Sequence, residues 1–322
     1  MPTHRSYVNP VYAGPFPDPF VRRADDRYVA YASDLDPEPG HAVEALESDD
    51  LVTWRPLGRV LTRLGEPWAH EYWAPEVAPR DGGFYMYFST GVEDKHHQLR
   101  VAVADAPQGP FIDAGRVLTG DDPFTIDAHP FRDDDGSWYL YYARDFLDGE
   151  RAGTAIVVDR LLDASTLAGE RRTVLRATAD WQVFRRKRPM YGGIYDWHTL
   201  EGPSVVKRDG RYWLFYSGGA WREASYGVSF AVADSPLGPF AEPPQARDGP
   251  ALLRSVPGHV IGPGHNSVVI GPDGNHWVVY HAWDVEQTAR RMCIDRLEWT
   301  ADGPRTNGPT WTAQPAPVRE TQ

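Results

Sequence analysis

Three features of the sequence predict an all-β fold, a single five-bladed β-propeller over residues 1–322. Aromatic residues make up 12% of the chain, and short alternating aromatic runs, which favour strands, dominate where long amphipathic helical patterns are scarce. One aromatic run recurs five times along the chain, and a tight-turn signal precedes each copy. The length of 322 residues is normal for one closed propeller.

The recurring run begins at Tyr28, Phe84, Trp138, Tyr212 and His276, at intervals of 56, 54, 74 and 64 residues. An Asp-Gly or Asp-Asp pair stands just before each run, and a shorter β-type run stands before each pair. Each repeat therefore begins as a strand, a tight turn and an aromatic strand. Periods of this length indicate propeller blades rather than an irregular β-sandwich, with blades that open near residues 18, 73, 127, 201 and 265.

Composition and charge exclude several classes of protein. The formal net charge of -12 disfavours nucleic acid and anionic membranes as partners. Cys293 is the one cysteine, so the chain forms no internal disulfide and no cysteine-based metal site. No segment approaches the ~18 apolar residues of a membrane-spanning helix. The opening segment MPTHRSYVNP lacks the apolar stretch of a signal peptide, so we expect a cytoplasmic protein.

Equivalent positions of the repeats carry polar groups that could meet on the propeller axis. The first strand of each blade lines the central channel, so equivalent residues on these strands converge there. Counting ten or eleven residues back from each aromatic run reaches Asp18, Trp73, Asp127, Glu201 and His265. Each residue alone has an ordinary explanation as a turn former, strand cap, surface acid or core residue. Together they predict an acidic pocket on the axis.

A cluster of three carboxylic acids can divide the roles of acid and base. Like charges raise each other's pKa, so one acid stays protonated near neutral pH while another is ionised. Glycoside hydrolysis needs this division, and Trp73, Trp197 and Trp221 could offer flat faces to a sugar ring. His198, in the segment 195–199 before Glu201, is a further candidate for substrate binding, as is His129 beside Asp127.

Several motifs together resemble glycoside hydrolase family 43 over nearly the whole chain. In chain order they are Asn9-Pro10 with Phe16-Pro17-Asp18-Pro19, Trp73-Ala74-Pro75-Glu76-Val77, Ile126-Asp127-Ala128-His129-Pro130-Phe131, Glu201-Gly202-Pro203, and Gly262-Pro263-Gly264-His265-Asn266-Ser267. Arg290, with Arg291 as its competitor, is similar to the family's late substrate-site arginine.

The resemblance implies an inverting mechanism that requires no cofactor. Asp18 would be the general base, Glu201 the general acid, and Asp127 the residue that raises the pKa of Glu201 and orients it. His265 would face an axial water network or a structural calcium ion. Because one histidine is an unusual ligand for calcium, that ion would be held mostly through water.

The expected activity is release of a terminal pentose, as an α-L-arabinofuranosidase acting on oligosaccharides derived from arabinan or arabinoxylan of plant cell walls. A β-xylosidase or a dual activity is the first alternative; an expected lack of room for a β-sandwich domain after the fifth blade disfavours it. An endo-arabinanase and a non-catalytic sugar-binding propeller follow. A retaining enzyme of fructans would carry an Asn-Asp-Pro opening motif in place of Phe-Pro-Asp-Pro, and a phosphorylase would need a more basic axis.

Overall fold

Residues 6–36 and 39–319 are described by the computed structural model, and nearly all of their regular structure is β-strand. The two short 3-10 helices of these ranges are Asp180–Gln182 and Pro244–Arg247. Within the same ranges, no helix has the length and apolar character needed to cross a membrane. The predicted all-β propeller is thereby confirmed.

The strands form five successive blades flanked by one short strand at each end. Strand β1 is Ser6–Tyr7, and blade 1 holds β2 (Phe20–Ala24), β3 (Arg27–Tyr31), β4 (His41–Ser48) and β5 (Arg55–Thr62). Blade 2 holds β6 (Glu71–Arg80), β7 (Gly83–Val92), β8 (Lys95–Ala104) and β9 (Ile112–Val117). Blade 3 holds β10 (Thr125–Arg132), β11 (Trp138–Phe146), β12 (Gly153–Asp163), β13 (Thr166–Leu167) and β14 (Arg172–Leu175). Strand β15 (Val183–Met190) precedes blade 4, which holds β16 (Gly193–Arg208), β17 (Arg211–Gly218) and β18 (Gly227–Ala233). Blade 5 holds β19 (Ile261–Ile270), β20 (His276–Trp283), β21 (Arg290–Thr300) and β22 (Gly303–Thr306), and β23 (Gln314–Pro315) follows.

The first strands of the blades form a closed ring. Strands β2, β6, β10, β16 and β19 each contact the next in chain order, and β19 contacts β2. Within each blade the following strands pair antiparallel and outward. Blades 3 and 4 are further joined by a short parallel pairing between β12 and β16. Apolar clusters pack between neighbouring blades, so that the inner strands meet around a common channel.

A β-bulge interrupts the inner edge of every blade at the same depth. In β6, for example, Ala74 and Pro75 stand opposite the single residue Phe88, and the same two-against-one arrangement occurs in each of the other blades. The first bulge residue has a positive φ in all five blades; these residues are Asp18, Ala74, Asp127, Gly202 and His265. A bulge turns side chains away from the regular alternation of the strand, so it aims them along the axis.

Hydrogen bonds between blades hold three of these bulges. The backbone N–H of Ala74 donates to Ser33 Oγ of the preceding blade at 2.7 Å, and that of His265 donates to Ser217 Oγ at 2.7 Å. The N–H of Asp18 donates to His281 Nδ1 of blade 5 at 3.1 Å. Blade 5 is thus joined to blade 1 by the same kind of hydrogen bond that joins blades 1 and 2 and blades 4 and 5, from a bulge amide to a side chain of the preceding blade.

The amino-terminal segment completes the closure by lying along β21 of blade 5. Val11 N donates to Met292 O at 2.9 Å, and β1 pairs with β23. The buried amide of Asn9 imitates a strand, because its Nδ2 donates to Ile294 O at 2.8 Å while Ile294 N donates to its Oδ1 at 2.9 Å. Blade 5 is therefore fixed to residues from both ends of the described chain.

We predict that Asn9→Ala lowers the free energy of unfolding by about 2–4 kcal/mol, because it leaves the buried N–H and C=O of Ile294 without partners. Denaturant unfolding of both proteins measures the difference. The control is Asn307→Ala, which removes an exposed hydrogen bond to Gln314 and should change stability by no more than about 0.5 kcal/mol. Equal effects of the two variants would contradict this account of ring closure.

Candidate active site

A cavity of ≈ 680 Å³ lies at one end of the channel. Its deep part is formed by buried side chains from four blades: Asp18, Asp127, Glu201, His265 and Arg290. Its mouth is lined by more exposed residues: Leu35, Glu71, Glu93, Asp94, Phe184, Arg185, Trp221, Arg222 and Glu223. The structure therefore brings the three predicted acids, the predicted arginine and the predicted axial histidine into one site.

Asp18 is the anionic group of the site. Arg290 Nη1 donates to its Oδ1 at 2.8 Å, and Ser33 Oγ donates to its Oδ2 at 2.6 Å. Burial acts to raise the pKa of Asp18, but Arg290, with smaller contributions from His265 and His281, outweighs burial and holds the pKa well below its usual range. Asp18 is therefore ionised at neutral pH, as a general base must be.

Glu201 has the opposite tendency. Burial raises the pKa of Glu201 to about 7, with the negative charge of Asp18 adding to the rise, while the Tyr226 hydrogen bond and the charge of Arg290 oppose it. Tyr226 Oη donates to Glu201 Oε1 at 2.6 Å. A carboxyl group that keeps its proton near neutral pH can act as a general acid.

Asp127 lies between these two acids in the chain and interacts with both. Burial, followed by the charges of Glu201 and Asp18, raises its pKa well above the usual range, against the hydrogen bond that Gly202 N–H donates to Asp127 Oδ2 at 2.9 Å. Because the repulsion is mutual, Asp127 and Glu201 titrate as a pair that retains a proton near neutral pH. The hydrogen bond also ties Asp127 to the residue directly after Glu201.

The bulge places Glu201 differently from Asp18 and Asp127. Asp18, Asp127 and His265 are the first residues of their bulges, whereas Glu201 and Trp73 are the residues just before theirs. The count back from the aromatic strand therefore reaches the same level along the channel in every blade. In blades 2 and 4, however, it reaches the residue before the bulge and not the first bulge residue. Gly202 takes the left-handed φ of +57° in blade 4, and an added Cβ there would lie 3.2 Å from the His265 ring.

Glu76 is a buried carboxylate beneath the site. It lies inside the blade-2 motif of residues 73–77, but the repeat count reaches Trp73 and not Glu76. Its Oε2 is 2.7 Å from His129 Nδ1. Val205 N–H donates to His129 Nε2 at 3.0 Å, so the ring proton is on Nδ1 and is donated to Glu76. His129, expected at the substrate, is instead buried below the cavity, where it supports the strand that carries Glu201.

Trp197 and His198 do not line the cavity, contrary to the expectation of substrate binding. Trp197 is 1% exposed and packs against Tyr191 and Tyr195. His198 is buried, with its Nδ1 3.0 Å from Asp196 O. Both lie where β16 pairs with β15 and β12, so neighbouring strands cover their side chains before they can reach the axis.

Trp73 and Trp221 are the tryptophans that face the cavity. Trp73 stacks on the buried ring of His97 with the ring centroids 3.7 Å apart. Trp221 stacks on Trp283, and the Arg290 guanidinium lies 4.5 Å from the centre of the Trp221 ring. These contacts fix both indoles at the wall of the cavity, where a sugar ring could pack against them.

Among the described residues, His265 has too few protein ligands around it to hold calcium directly, so the expected ion held mostly through water stays a prediction. Its Nδ1 is 3.4 Å from Asp18 Oδ1 and 4.0 Å from Asp127 Oδ2, and Asp18 Oδ1 is already bound by Arg290. Among residues 6–36 and 39–319 there is no group of three His, Cys, Asp or Glu side chains that could hold a metal ion, whereas calcium takes six to eight oxygen ligands. Burial lowers the pKa of His265, so its ring is neutral at pH 7 and leaves Arg290 as the cation beside Asp18.

A propeller with an ionised carboxylate, a protonated carboxylic acid and tryptophan walls around one cavity has the fold and site of a glycoside hydrolase. The model of "Glycosyl hydrolases family 43" matches residues 7–304. The chain therefore belongs to this family, as its motifs predicted, and it is an enzyme that hydrolyses glycosidic bonds.

Individual relatives have different activities. The chain is 31% identical to "Beta-D-galactofuranosidase xynD" of Aspergillus niger, over 92% of this chain and 83% of that protein. It is 28% identical to "Xylosidase/arabinosidase 43A" of Humicola insolens, over 76% and 78% of the two chains. A solved thermostable family-43 glycoside hydrolase superposes with a TM-score of 0.85 at 30% identity, covering 98% of this chain and 100% of that one.

Replacing Tyr226 by Phe should move the alkaline limb of the pH–rate curve to higher pH, by about half to one unit. Tyr226 donates to the ionised form of Glu201 and so lowers its pKa; without the hydroxyl, Glu201 keeps its proton to higher pH. The measurement is kcat/KM against pH.

The matched control is Tyr87→Phe, which removes an equally buried hydroxyl that donates to the carbonyl of Ala164, outside the cavity. Its pH–rate curve should coincide with that of the unchanged enzyme. An alkaline limb that stays in place in Tyr226→Phe, or that moves to lower pH, would show that Glu201 is not the group whose titration limits the rate.

Proposed function

We propose that this enzyme is an inverting, exo-acting α-L-arabinofuranosidase that acts on oligosaccharides derived from arabinan or arabinoxylan of plant cell walls. The observation that carries the proposal is the opposite perturbation of two carboxyl groups in one cavity. Arg290 holds Asp18 ionised, and burial keeps Glu201 protonated near neutral pH.

The proposed reaction uses these two groups in a single displacement. Asp18 accepts a proton from a water molecule, and the water oxygen forms a bond to the anomeric carbon. The bond from that carbon to the leaving oxygen breaks, and Glu201 transfers its proton to this oxygen. The products are a sugar with the opposite anomeric configuration and a free alcohol; exchange with solvent restores the proton on Glu201 and the charge on Asp18.

The shape of the mouth favours exo action over the endo-arabinanase alternative. Blade 1 contributes Leu35 to the wall, blade 2 contributes Glu93 and Asp94, and Trp221 follows strand β17 of blade 4. Phe184 and Arg185 come from β15, the strand before blade 4. A polymer that binds across the site needs a groove open at two ends, whereas a mouth lined by blades 1, 2 and 4 and by the strand before blade 4 suits the end of a chain.

The choice of sugar follows from the relatives. The relative from Humicola insolens is named for both xylose and arabinose, and the relative from Aspergillus niger is named for galactofuranose. β-D-Galactofuranose has the same ring configuration as α-L-arabinofuranose and differs in a longer exocyclic chain. An enzyme that acts on a furanose ring therefore agrees with the arabinose activity of one relative and the galactofuranose activity of the other. β-D-Galactofuranosidase, favoured by the 31% identity, is the second candidate, and β-xylosidase is the third.

The first test compares p-nitrophenyl glycosides of α-L-arabinofuranose, β-D-galactofuranose and β-D-xylopyranose, with Asp18→Asn as the control for the active site. We expect the arabinofuranoside to be hydrolysed fastest, the variant to lose at least about 100-fold in kcat, and proton NMR to show the inverted anomer first. Preference for another sugar would replace the arabinose assignment. Full activity of Asp18→Asn would remove Asp18 as the base.

Replacing Glu201 by Gln should slow the hydrolysis of disaccharides by about 100- to 10,000-fold and that of p-nitrophenyl glycosides much less. Only the sugar alkoxide needs a proton in order to leave, because p-nitrophenolate is already a stable anion. The comparison of kcat for the two substrate classes measures this difference. Losses of equal size on both classes would contradict the role of Glu201 as general acid.

A further inference from the structure

The β-hairpin of residues 183–198, formed by β15 and the first half of β16, stands at the mouth of the cavity. It accounts for the longest interval between repeats, the 74 residues from Trp138 to Tyr212. The half-buried ring of Phe184 and the exposed side chain of Arg185 line the cavity. The reaction described above assigns no task to either residue.

The hairpin lies on the side of the cavity from which the leaving group departs. Strand β16 runs without interruption from the hairpin into Glu201, because it spans Gly193–Arg208. Glu201 gives its proton to the leaving oxygen, so the leaving group must emerge beside this strand. Asp18, which activates the water for attack on the opposite face, belongs to blade 1.

An ion pair between the nearly buried Arg188 and the exposed Asp94 fixes the hairpin to blade 2. Arg188 donates to the carboxylate of Asp94, in the turn between β7 and β8, and its side chain is 11% exposed. Its guanidinium lies 4.9 Å from the ring centre of Phe184 and 5.6 Å from that of Trp197. Arg188 is thus held by Trp197, pairs with Asp94, and supports one face of the Phe184 ring.

A second contact fixes the tip of the hairpin to blade 3. Tyr191 Oη donates to Asp145 Oδ2 at 2.7 Å, and Thr154 Oγ1 donates to the other oxygen of the same carboxylate at 2.8 Å. The hairpin is thus held at three places: at its base by the strand of Glu201, in its middle by Asp94 and at its tip by Asp145.

We propose that Phe184 and Arg185 bind the sugar unit on the leaving-group side of the scissile bond, and that the pair Arg188–Asp94 positions them. The inference rests on the proposed function and extends it to the second sugar of the substrate. The Phe184 ring offers an apolar face to a sugar ring, and the Arg185 guanidinium offers hydrogen-bond donors to its hydroxyl oxygens. Trp197 serves this site indirectly, as the packing partner of Arg188.

The test compares two substrates that share the same terminal pentose. In the disaccharide the leaving group is a sugar that reaches Phe184, whereas in the glycosyl fluoride it is a single atom that does not. Phe184→Ala and Arg185→Ala should lower kcat/KM for the disaccharide by about 10- to 100-fold and leave the fluoride within about twofold. Arg188→Met should reproduce the pattern, because it releases Phe184 from its support.

The matched control is Arg186→Ala, in which the neighbouring arginine, 61% exposed, loses its ion pair with Asp196 on the surface of the hairpin. It should change neither substrate measurably. If Phe184→Ala and Arg185→Ala lower both substrates equally, or neither, the binding of the second sugar by the hairpin is wrong while the proposed function stands. If the unchanged enzyme hydrolyses neither substrate, the proposed function fails and the inference fails with it.

Discussion

The ion pair between Arg290 and Asp18 is the interaction on which the rest of the site depends. Burial acts to raise the pKa of Asp18, as it does that of Asp127, whose pKa the neighbouring negative charges raise further. Arg290 keeps the negative charge in place, and that charge in turn raises the pKa of Glu201. The guanidinium of Arg290 therefore keeps the base ionised, and the charge of that base adds to the burial that keeps Glu201 protonated. Phe16 N–H donates to the carbonyl of Arg290 at 2.8 Å, so the closure of the propeller ring also positions the charge of its active site.

The repeated bulge explains how a β-propeller brings such groups onto its axis. A left-handed φ at a non-glycine residue costs about 1–3 kcal/mol, and Asp18, Ala74, Asp127 and His265 all adopt it. Hydrogen bonds that three of the bulge amides donate to side chains of the neighbouring blade offset part of this cost. The strain is concentrated where the fold must depart from regular strand alternation in order to aim side chains into the channel. Fold and function therefore use the same local feature.

The sequence alone could predict the features that follow its repeat. The blades, Asp18, Asp127, Glu201 and His265 follow from periodic strands, and Arg290 follows from a family motif. It could not predict what depends on pairing outside the repeat: Trp197 and His198 are covered because β15 folds back on β16. His129 follows the bulge of blade 3, so its side chain lies beneath the cavity, beside Glu76. The contact of Arg188 with Asp94 joins residues 94 positions apart in the chain, and no local sequence pattern predicts it.

The central claim is that Glu201 holds its proton to near neutral pH beside an ionised Asp18, and a titration of carboxyl-13C-labelled glutamate by NMR tests it most directly. The account predicts one glutamate signal that titrates at about 7, is missing in Glu201→Gln, and moves to lower pH in Asp18→Asn, where the neighbouring negative charge is gone. A Glu201 signal that titrates near the ordinary value of 4.5, or that ignores Asp18→Asn, would contradict the division of acid and base described here.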